Sequence, residues 1–422
     1  MSREYKDSGI EWIGQIPKEW KLYRIKYNTF LKGRIGWQGL NSNDFIDEGY
    51  YLITGTDFDN KGGINWNTCY KISKERFDED ELLHVKEGDL LMTKDGTVGK
   101  MAFIKELPEE ASLNSHLLII RQLTNLINNS FLYWVMLSEV FKGFCSHYQS
   151  GTIMSSISQS TLGFFACFAP PLSEQQKIAD YLDKVCGEAD EMIALQEKMI
   201  EELKAYKQSV ITEAVTKGLN PNVPMKDSGI EWIGEIPKHW VIMKIGFIFS
   251  NLDYLRKPIS AEQRERNNPQ YDYYGASGVI DKIDHYNVDD KVLLIGEDGA
   301  NLVMRNLPLV YKAEGRFWVN NHAHILKPIR DDYDYMASAL EAANYRNYIT
   351  GSAQPKLSQE NLQSVKLPVP PLSEQRQIAS YLDTICSDID SLISIKQQKI
   401  EELKEYKKSV IYEYVTGKKE VV

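Results

Sequence analysis

Lys6–Trp20 reads KDSGIEWIGQIPKEW and Lys226–Trp240 reads KDSGIEWIGEIPKHW, so thirteen of fifteen positions recur at an offset of 220. Further out, PPLSEQQKIADYLD (Pro170–Asp183) returns as PPLSEQRQIASYLD (Pro370–Asp383), eleven of fourteen identical at an offset of 200. EELKAYKQSVITEAVT (Glu201–Thr216) returns as EELKEYKKSVIYEYVT (Glu401–Thr416), twelve of sixteen, at the same offset. Three matches in one order mean one long duplication, not the short steady period of a solenoid. Between the matched ends lie two blocks, residues 21–169 and 241–369, that are mostly unlike one another. Each repeat is a near-constant opening, a divergent block and a near-constant close.

The closing segments have helical periodicity. Ser173 and Ser373 follow Pro-Pro-Leu, and the Ser-x-x-Gln of Ser173–Gln176 predicts a capping box. Ile178, Leu182, Val185, Ala189 and Met192 then recur at spacings of 3 and 4, as do Ile378, Leu382, Ile385, Ile389 and Leu392. The seam resumes at Ile200, Leu203 and Val210, and at Ile400, Leu403 and Val410, after polar residues near Gln196 and Lys396. Two helices of roughly 44 residues follow, about 65 Å long at ~1.5 Å per residue. The second block joins the end of the first helix to the start of the second, so helices that pack together must run antiparallel. The blocks are then expected near opposite ends of a rod, about an approximate two-fold axis, with the C-terminus returning to the first block. The other arrangement packs each helix on its own block.

Both blocks look mixed α/β. GDLLMTKDGTVGK (Gly88–Lys100) reads as a strand, a tight Asp-Gly turn and a second strand, and Asp290–Gly299 holds the equivalent place. Leu113–His116 and Val319–His322 follow, and each block closes with a glycine-led polar loop, Gly151–Gln159 and Gly351–Gln359. Different sequences carrying the same landmarks imply one fold with two surfaces. A constant frame holding two variable modules suits recognition of two different ligands. Polar side chains in such loops can bond base edges and phosphates. Candidates are Arg34, Gln38, Lys94, Thr97, Lys100, Thr152, Ser155 and Ser156 in the first block, and Arg256, Lys257, Ser277, Asn301, Asn320, Gln354 and Lys356 in the second. Trp37, Tyr273 and Tyr274 could pack on sugars or bases.

Composition limits the alternatives. The 422 residues are 43% apolar and 26% charged, and no apolar run of eighteen residues suggests a membrane span. The polar N-terminus lacks an apolar signal core, and five scattered cysteines without CxxC spacing argue for reduced thiols in a cytoplasm. The net charge of −10 opposes nucleic acid, yet the blocks hold only −2 (15 basic, 17 acidic) and −1 (15 basic, 16 acidic) of it. A local basic face stays open.

Catalytic motifs fail. Gly96–Met101 resembles a P-loop with its leading glycine and its Ser/Thr both missing. The Pro-Pro pairs at Pro170 and Pro370 are flanked wrongly for an amino-methyltransferase, and no glycine-rich nucleotide turn appears. Glu202-Leu203-Lys204 and Glu402-Leu403-Lys404 mimic a nuclease triplet on what read as helix surfaces. His322 and His324 lack a third metal ligand.

With these features assembled, the chain resembles the specificity subunits of type I restriction-modification systems over its full length. DSGIEWIGQIPKEW, PPLSEQQKIADYLD with its long helix, VTKG/VTGK, YYGASG (Tyr273–Gly278), FWVNNHAHILKP (Phe317–Pro328) and GDLLMTKDGTVGK carry the resemblance. It implies an α+β architecture with pseudo-two-fold internal duplication. Two mixed α/β target recognition domains, 1–171 and 218–370, are separated by two long antiparallel coiled-coil helices, 172–217 and 371–422. Each domain would read half of a split, asymmetric site in double-stranded DNA through the major groove. The helices would act as a ruler and dock two methyltransferase subunits, with motor/nuclease subunits joining later. S-adenosylmethionine, ATP and Mg²⁺ would sit on those partners, leaving this chain without cofactor, metal or catalytic residues. The contrasting readings are a self-contained enzyme, and a non-DNA adaptor with two variable protein-binding modules.

Overall fold

The computed structural model describes residues 3–34, 40, 42–59, 61–148, 156–260, 270–351 and 354–421. Two compact units emerge: Met1–Glu197 with Gln397–Val422, and Lys198–Lys396.

In the first unit, the antiparallel strands Thr29–Lys32, Leu117–Gln122, Leu90–Thr93 and Met101–Phe103 form one sheet in that order. Both its faces are covered. Leu90, Met92, Leu118 and Ile120 pack with Phe131, Phe165 and Trp20, while Leu91, Leu117 and Ile119 pack with Ile53 and Leu113 on the other side. Two buried faces explain why LLM and LLII are unbroken apolar runs with no in-out alternation. A second sheet orders Ala111–Leu113, Tyr50–Ile53, Tyr70–Ile72 and Phe45–Ile46, with the first two parallel.

The second unit repeats the plan. Phe249–Asn251, Ala323–Pro328, Val288–Gly296 and Val310–Val319 pair in the corresponding order. Val310–Val319 also runs parallel to Tyr271–Gly275, so one long strand replaces the first unit's Met101–Phe103 and Ala111–Leu113. The two small sheets thereby merge into one of six strands. The blocks share a fold, as their common landmarks predict.

The long helices span Leu172–Lys217 and Leu372–Val415, 46 and 44 residues. In the first unit Ile178, Leu182 and Cys186 share a core with Val410, Ile411 and Val415. Tyr181 meets Tyr414 at 4.6 Å and Lys407 bonds Asp190, so the two stretches are antiparallel. In the second unit Ile378 and Leu382 share a core with Val210, Ile211 and Val215, and Lys207 bonds Asp390 at 2.6 Å. The same helix starts also pack on their own blocks, so both expected modes of packing occur.

Two local expectations are corrected. Ser173 and Ser373 lie inside the first helical turn, and no capping box forms. Instead Gln175 is buried, donating to Pro170 O (2.8 Å) and Leu126 O (2.9 Å) and accepting from Asn128 N (2.8 Å). Gln375 does the same with Pro370 O, Asp331 and Asp332 N. A buried amide with both N–H groups and its carbonyl bonded fixes where each helix leaves its block. Met192 and Leu392 are also exposed, at 46% and 47%. The inward line passes through Ile193 and Gln196 to Ile200, and through Ile393 and Lys396 to Ile400, because 3.6 residues per turn drifts off a strict heptad.

The opening segments are hairpins, Tyr5–Asp7 with Gln15–Pro17 and Met225–Asp227 with Glu235–Pro237. In Asp-Ser-Gly, the Asp7 carboxylate accepts from Gly9 N at 2.9 Å and Ser8 Oγ from Ile10 N at 3.1 Å, and Asp227 and Ser228 repeat this. The hairpins deliver Trp20 and Trp240, which are buried.

Candidate nucleic-acid interface

In the first block, Leu90–Thr93 and Met101–Phe103 are joined by seven residues, not by a tight two-residue turn. Thr93 closes the loop: its N donates to Lys100 O (3.0 Å), and its Oγ1 donates to Thr97 O (2.5 Å) and accepts from Lys100 N (3.0 Å). Gly96 and Gly99 lie at φ 70° and 86°, where a side chain would be strained. The end of the closing loop rejoins this turn. Asp95 pairs with Ser156, and Ile157 N donates to Lys94 O at 2.7 Å with the Ile157 side chain buried.

The second block builds the same junction from other residues. Asp298 pairs with Lys356, Leu357 N donates to Glu297 O (2.7 Å), and Leu357 is fully buried. Gly299, at φ 101°, donates to Pro355 O at 3.0 Å. In each block the Asp-Gly turn thus meets the end of the closing loop, which sequence spacing alone leaves far apart.

Thr97, Lys100 and Ser156 are exposed on the first surface, and Lys94 is half-buried with Nζ 3.4 Å from Arg34 O. On the second, Gln354 and Lys356 are exposed, as are Lys257 and Ser277 elsewhere on that block. Other candidates serve the fold. Arg34 is 1% exposed, donating to Leu113 O (2.9 Å), Glu79 (3.1 Å) and Ser112 Oγ (3.2 Å). Burial lowers its pKa, against the opposing pull of Glu79. Tyr273 and Asn320 are interior, with Asn320 Oδ1 accepting from His322 N at 2.8 Å. Tyr274 is half-buried, its ring 5.5 Å from that of Phe317. Asn301 ties Leu307 and Pro308 into a local turn. Trp37, Gln38, Thr152 and Ser155 lie outside the described residues.

Arg256 supports the second surface from behind. It bonds Glu297 and lies 3.3 Å from Asp253, while Lys356 reaches Glu297 at 3.0 Å from the front. Burial pushes the Glu297 carboxyl up, but the bonds from Arg256 and Lys356 outweigh it and hold the pKa below the ordinary value. Behind it His324 is fully buried, with Nδ1 2.6 Å from Asp253 and Nε2 2.8 Å from Leu357 O. Burial also opposes ionisation of Asp253, whose pKa is nevertheless lowered by His324, Ile325 N and Arg256.

Sequence reasoning passed over one pair that both surfaces share. His116 Nδ1 bonds the Asp95 carboxylate, and His322 Nδ1 lies 2.6 Å from Asp298. Both imidazoles are exposed, 69% and 46% at the side chain. The signal was the recurring histidine that ends Leu113–His116 and Val319–His322. Among the described residues no cluster of three or more His, Cys, Asp or Glu could hold a metal, and no helix is long and apolar enough to cross a membrane.

Each unit thus holds one α/β block with its own polar surface, packed against stretches of both long helices. The chain belongs to the type I restriction modification DNA specificity domain family, which it matches twice, over residues 33–205 and 237–405. It is 23% identical over 434 residues to the type I restriction enzyme MjaVIII specificity subunit of Methanocaldococcus jannaschii, covering 96% of this chain and 94% of the relative. A chain from a structure describing complex assembly and conformational transition of the type I R-M system superposes with a TM-score of 0.71. It is 15% identical, with 95% and 99% of the two chains covered. The HsdS subunit from Thermoanaerobacter tengcongensis superposes at 0.50, 15% identical, over 95% and 98%. The chain is a DNA sequence-recognition subunit of the type I restriction-modification class and supplies recognition, not catalysis.

Proposed function

We propose that each block reads one half of a bipartite, asymmetric duplex site with the surface where its Asp-Gly turn meets its closing loop. The observation that carries this is the repeated junction, Asp95 with Ser156 and Asp298 with Lys356: one backbone scaffold presenting different side chains. Base edges demand different donors and acceptors at each half-site, and a constant backbone places them alike. Thr97, Lys100, Ser156, Gln354 and Lys356 are the accessible contacts, with the half-buried Lys94 at the first junction and Lys257 and Ser277 elsewhere on the second block. Trp37, Gln38, Thr152 and Ser155 complete the candidate set.

On this reading 1–171 and 218–370 are the recognition domains, and the helices 172–217 and 371–422 set the unread gap and dock two methyltransferase subunits, with motor and nuclease subunits joining them. S-adenosylmethionine, ATP and Mg²⁺ belong to those partners, and the assembly works in the cytoplasm. Replacing residues 241–369 by the equivalent block of a relative tests the reading. Mapping methylated sites in cells should show one half-site changed and the other kept; a change in both halves refutes independent readers.

A further inference from the structure

We infer that His116 and His322, each backed by a carboxylate, are matched phosphate contacts, one per block, to the part of the duplex that both half-sites share. The inference rests on the DNA-reading role and adds residues to it.

The correspondence is fixed by strand register. Leu117 pairs with Thr93 and Ala323 with Gly296, so the turns and the segments leading into these strands superimpose in order. His116 O accepts from Lys94 N at 2.9 Å, and His322 O accepts from Glu297 N at 2.8 Å. Around this constant pair the side chains change: Lys94 becomes Glu297, Thr97 becomes Ala300, and Ser156 becomes Lys356. Surfaces that read different bases need different side chains on base edges. The sugar-phosphate backbone is the same under both, so a pair kept on both surfaces matches the constant part of the ligand.

Ring chemistry states what such a contact requires. Nδ1 faces a carboxylate in both pairs, and Nε2 of neither ring has a hydrogen-bond partner among the described residues. A ring protonated only on Nδ1 offers a lone pair at Nε2, which a phosphate oxygen cannot use. Contact therefore takes one proton from solvent onto Nε2, leaving an imidazolium between the Asp carboxylate and the phosphate. No other bond is made or broken. Among the described residues the charged group bonded to the first ring is Asp95, which follows Lys94 in the chain; for the second it is Asp298, which follows Glu297, itself held by Arg256 and Lys356. His324 is the other imidazole nearby, buried with both nitrogens bonded, so variants are needed to assign the proton.

The test uses the full chain assembled with its methyltransferase subunits and a labelled duplex carrying its mapped site, titrated at pH 6, 7 and 8 over a salt series. The unmodified assembly should bind more tightly at pH 6 than at pH 8. His116→Gln and His322→Gln should each remove part of that pH dependence and lower the salt slope at pH 6 by about 1, with methylated sequences unchanged. The double variant His116→Arg with His322→Arg should keep binding at pH 8 and lose its pH dependence, which merely structural histidines would not allow. Gln variants with unchanged slope and pH profile, or a changed base preference, overturn the phosphate assignment. If the unmodified assembly shows no preference for its site over an unrelated duplex, the DNA reading falls and takes this inference with it.

Discussion

Gly417, just past the second long helix, is pressed against Trp20: a side-chain carbon there would stand 2.9 Å from the indole and 2.5 Å from the Pro17 ring. Gly218, just past the first, has the same relation to Trp240 at 3.0 Å. Both glycines are left-handed, φ 70° and 74°, as a helix C-terminus favours. Tyr5 OH donates to Gly417 O at 3.1 Å and Tyr412 OH to Ile13 O at 3.2 Å, fastening the last helix to the first hairpin within one unit. The opening phrase recurs because each hairpin receives a helix end.

Gly417→Ala therefore combines a strained φ with a clash against Pro17 and Trp20. It should destabilise the first unit by about 2 kcal/mol. Gly218→Ala, whose nearest approach is the longer 3.0 Å contact, should cost less. Thermal unfolding of the two variants beside the parent checks both the size and the order, and equal melting temperatures would refute the close-packing argument.

Lys356 is exposed yet tied to Glu297 at 3.0 Å. If Lys356 contacts phosphate, Lys356→Ala should weaken duplex binding across all sequences and reduce the salt slope by about 1. Lys94→Ala should do the same at the other junction. Affinity and slope that stay unchanged in both variants would remove the turn and closing loop from the interface.

The second block should also be the more acid-sensitive near its reading surface. Asp253 and Glu297 have carboxyl pKa values lowered by folding. A lowered folded pKa contributes stability above the ordinary carboxylate range, and that contribution is lost as pH falls through the folded value. Stability measured by denaturant between pH 6 and pH 3 should drop with acid, and Glu297→Gln should flatten the drop. A variant with the parent's pH profile would show that the bonds to Arg256 and Lys356 contribute nothing measurable.

The duplication, the long helices and their antiparallel sense were legible because they depend on identity, periodicity and chain connectivity. Which turn of the helix faces inward was less so. Met192 and Ile193 are both apolar, and only the drift of 3.6 residues per turn selects Ile193. Arg34 and Tyr273 misled for a different reason: in sequence, a buried arginine with its donors satisfied looks the same as one waiting for a phosphate. His116 went unread because Asp95, its partner, is 21 residues away and meets it only through strand pairing.

The boundary between the units falls at Glu197/Lys198 in one helix and at Lys396/Gln397 in the other. Four residues inserted at each boundary leave both sets of helix contacts in register, since Asp190 keeps Lys407 within one unit and Lys207 keeps Asp390 within the other. Four residues add roughly 6 Å at ~1.5 Å per residue, and they overshoot one turn by about 40° at ~3.6 residues per turn. Since a base pair occupies about 3.4 Å, the unread gap should lengthen by up to about two base pairs. Those base pairs rotate the duplex by roughly a fifth of a turn, so the helical overshoot compensates for part of the mismatch in facing. Methylated-site mapping should then return the two parental half-sites with a longer gap, and inserting four residues in only one helix should abolish methylation. A doubly inserted chain that methylates at the parental spacing would show that the helices do not set it.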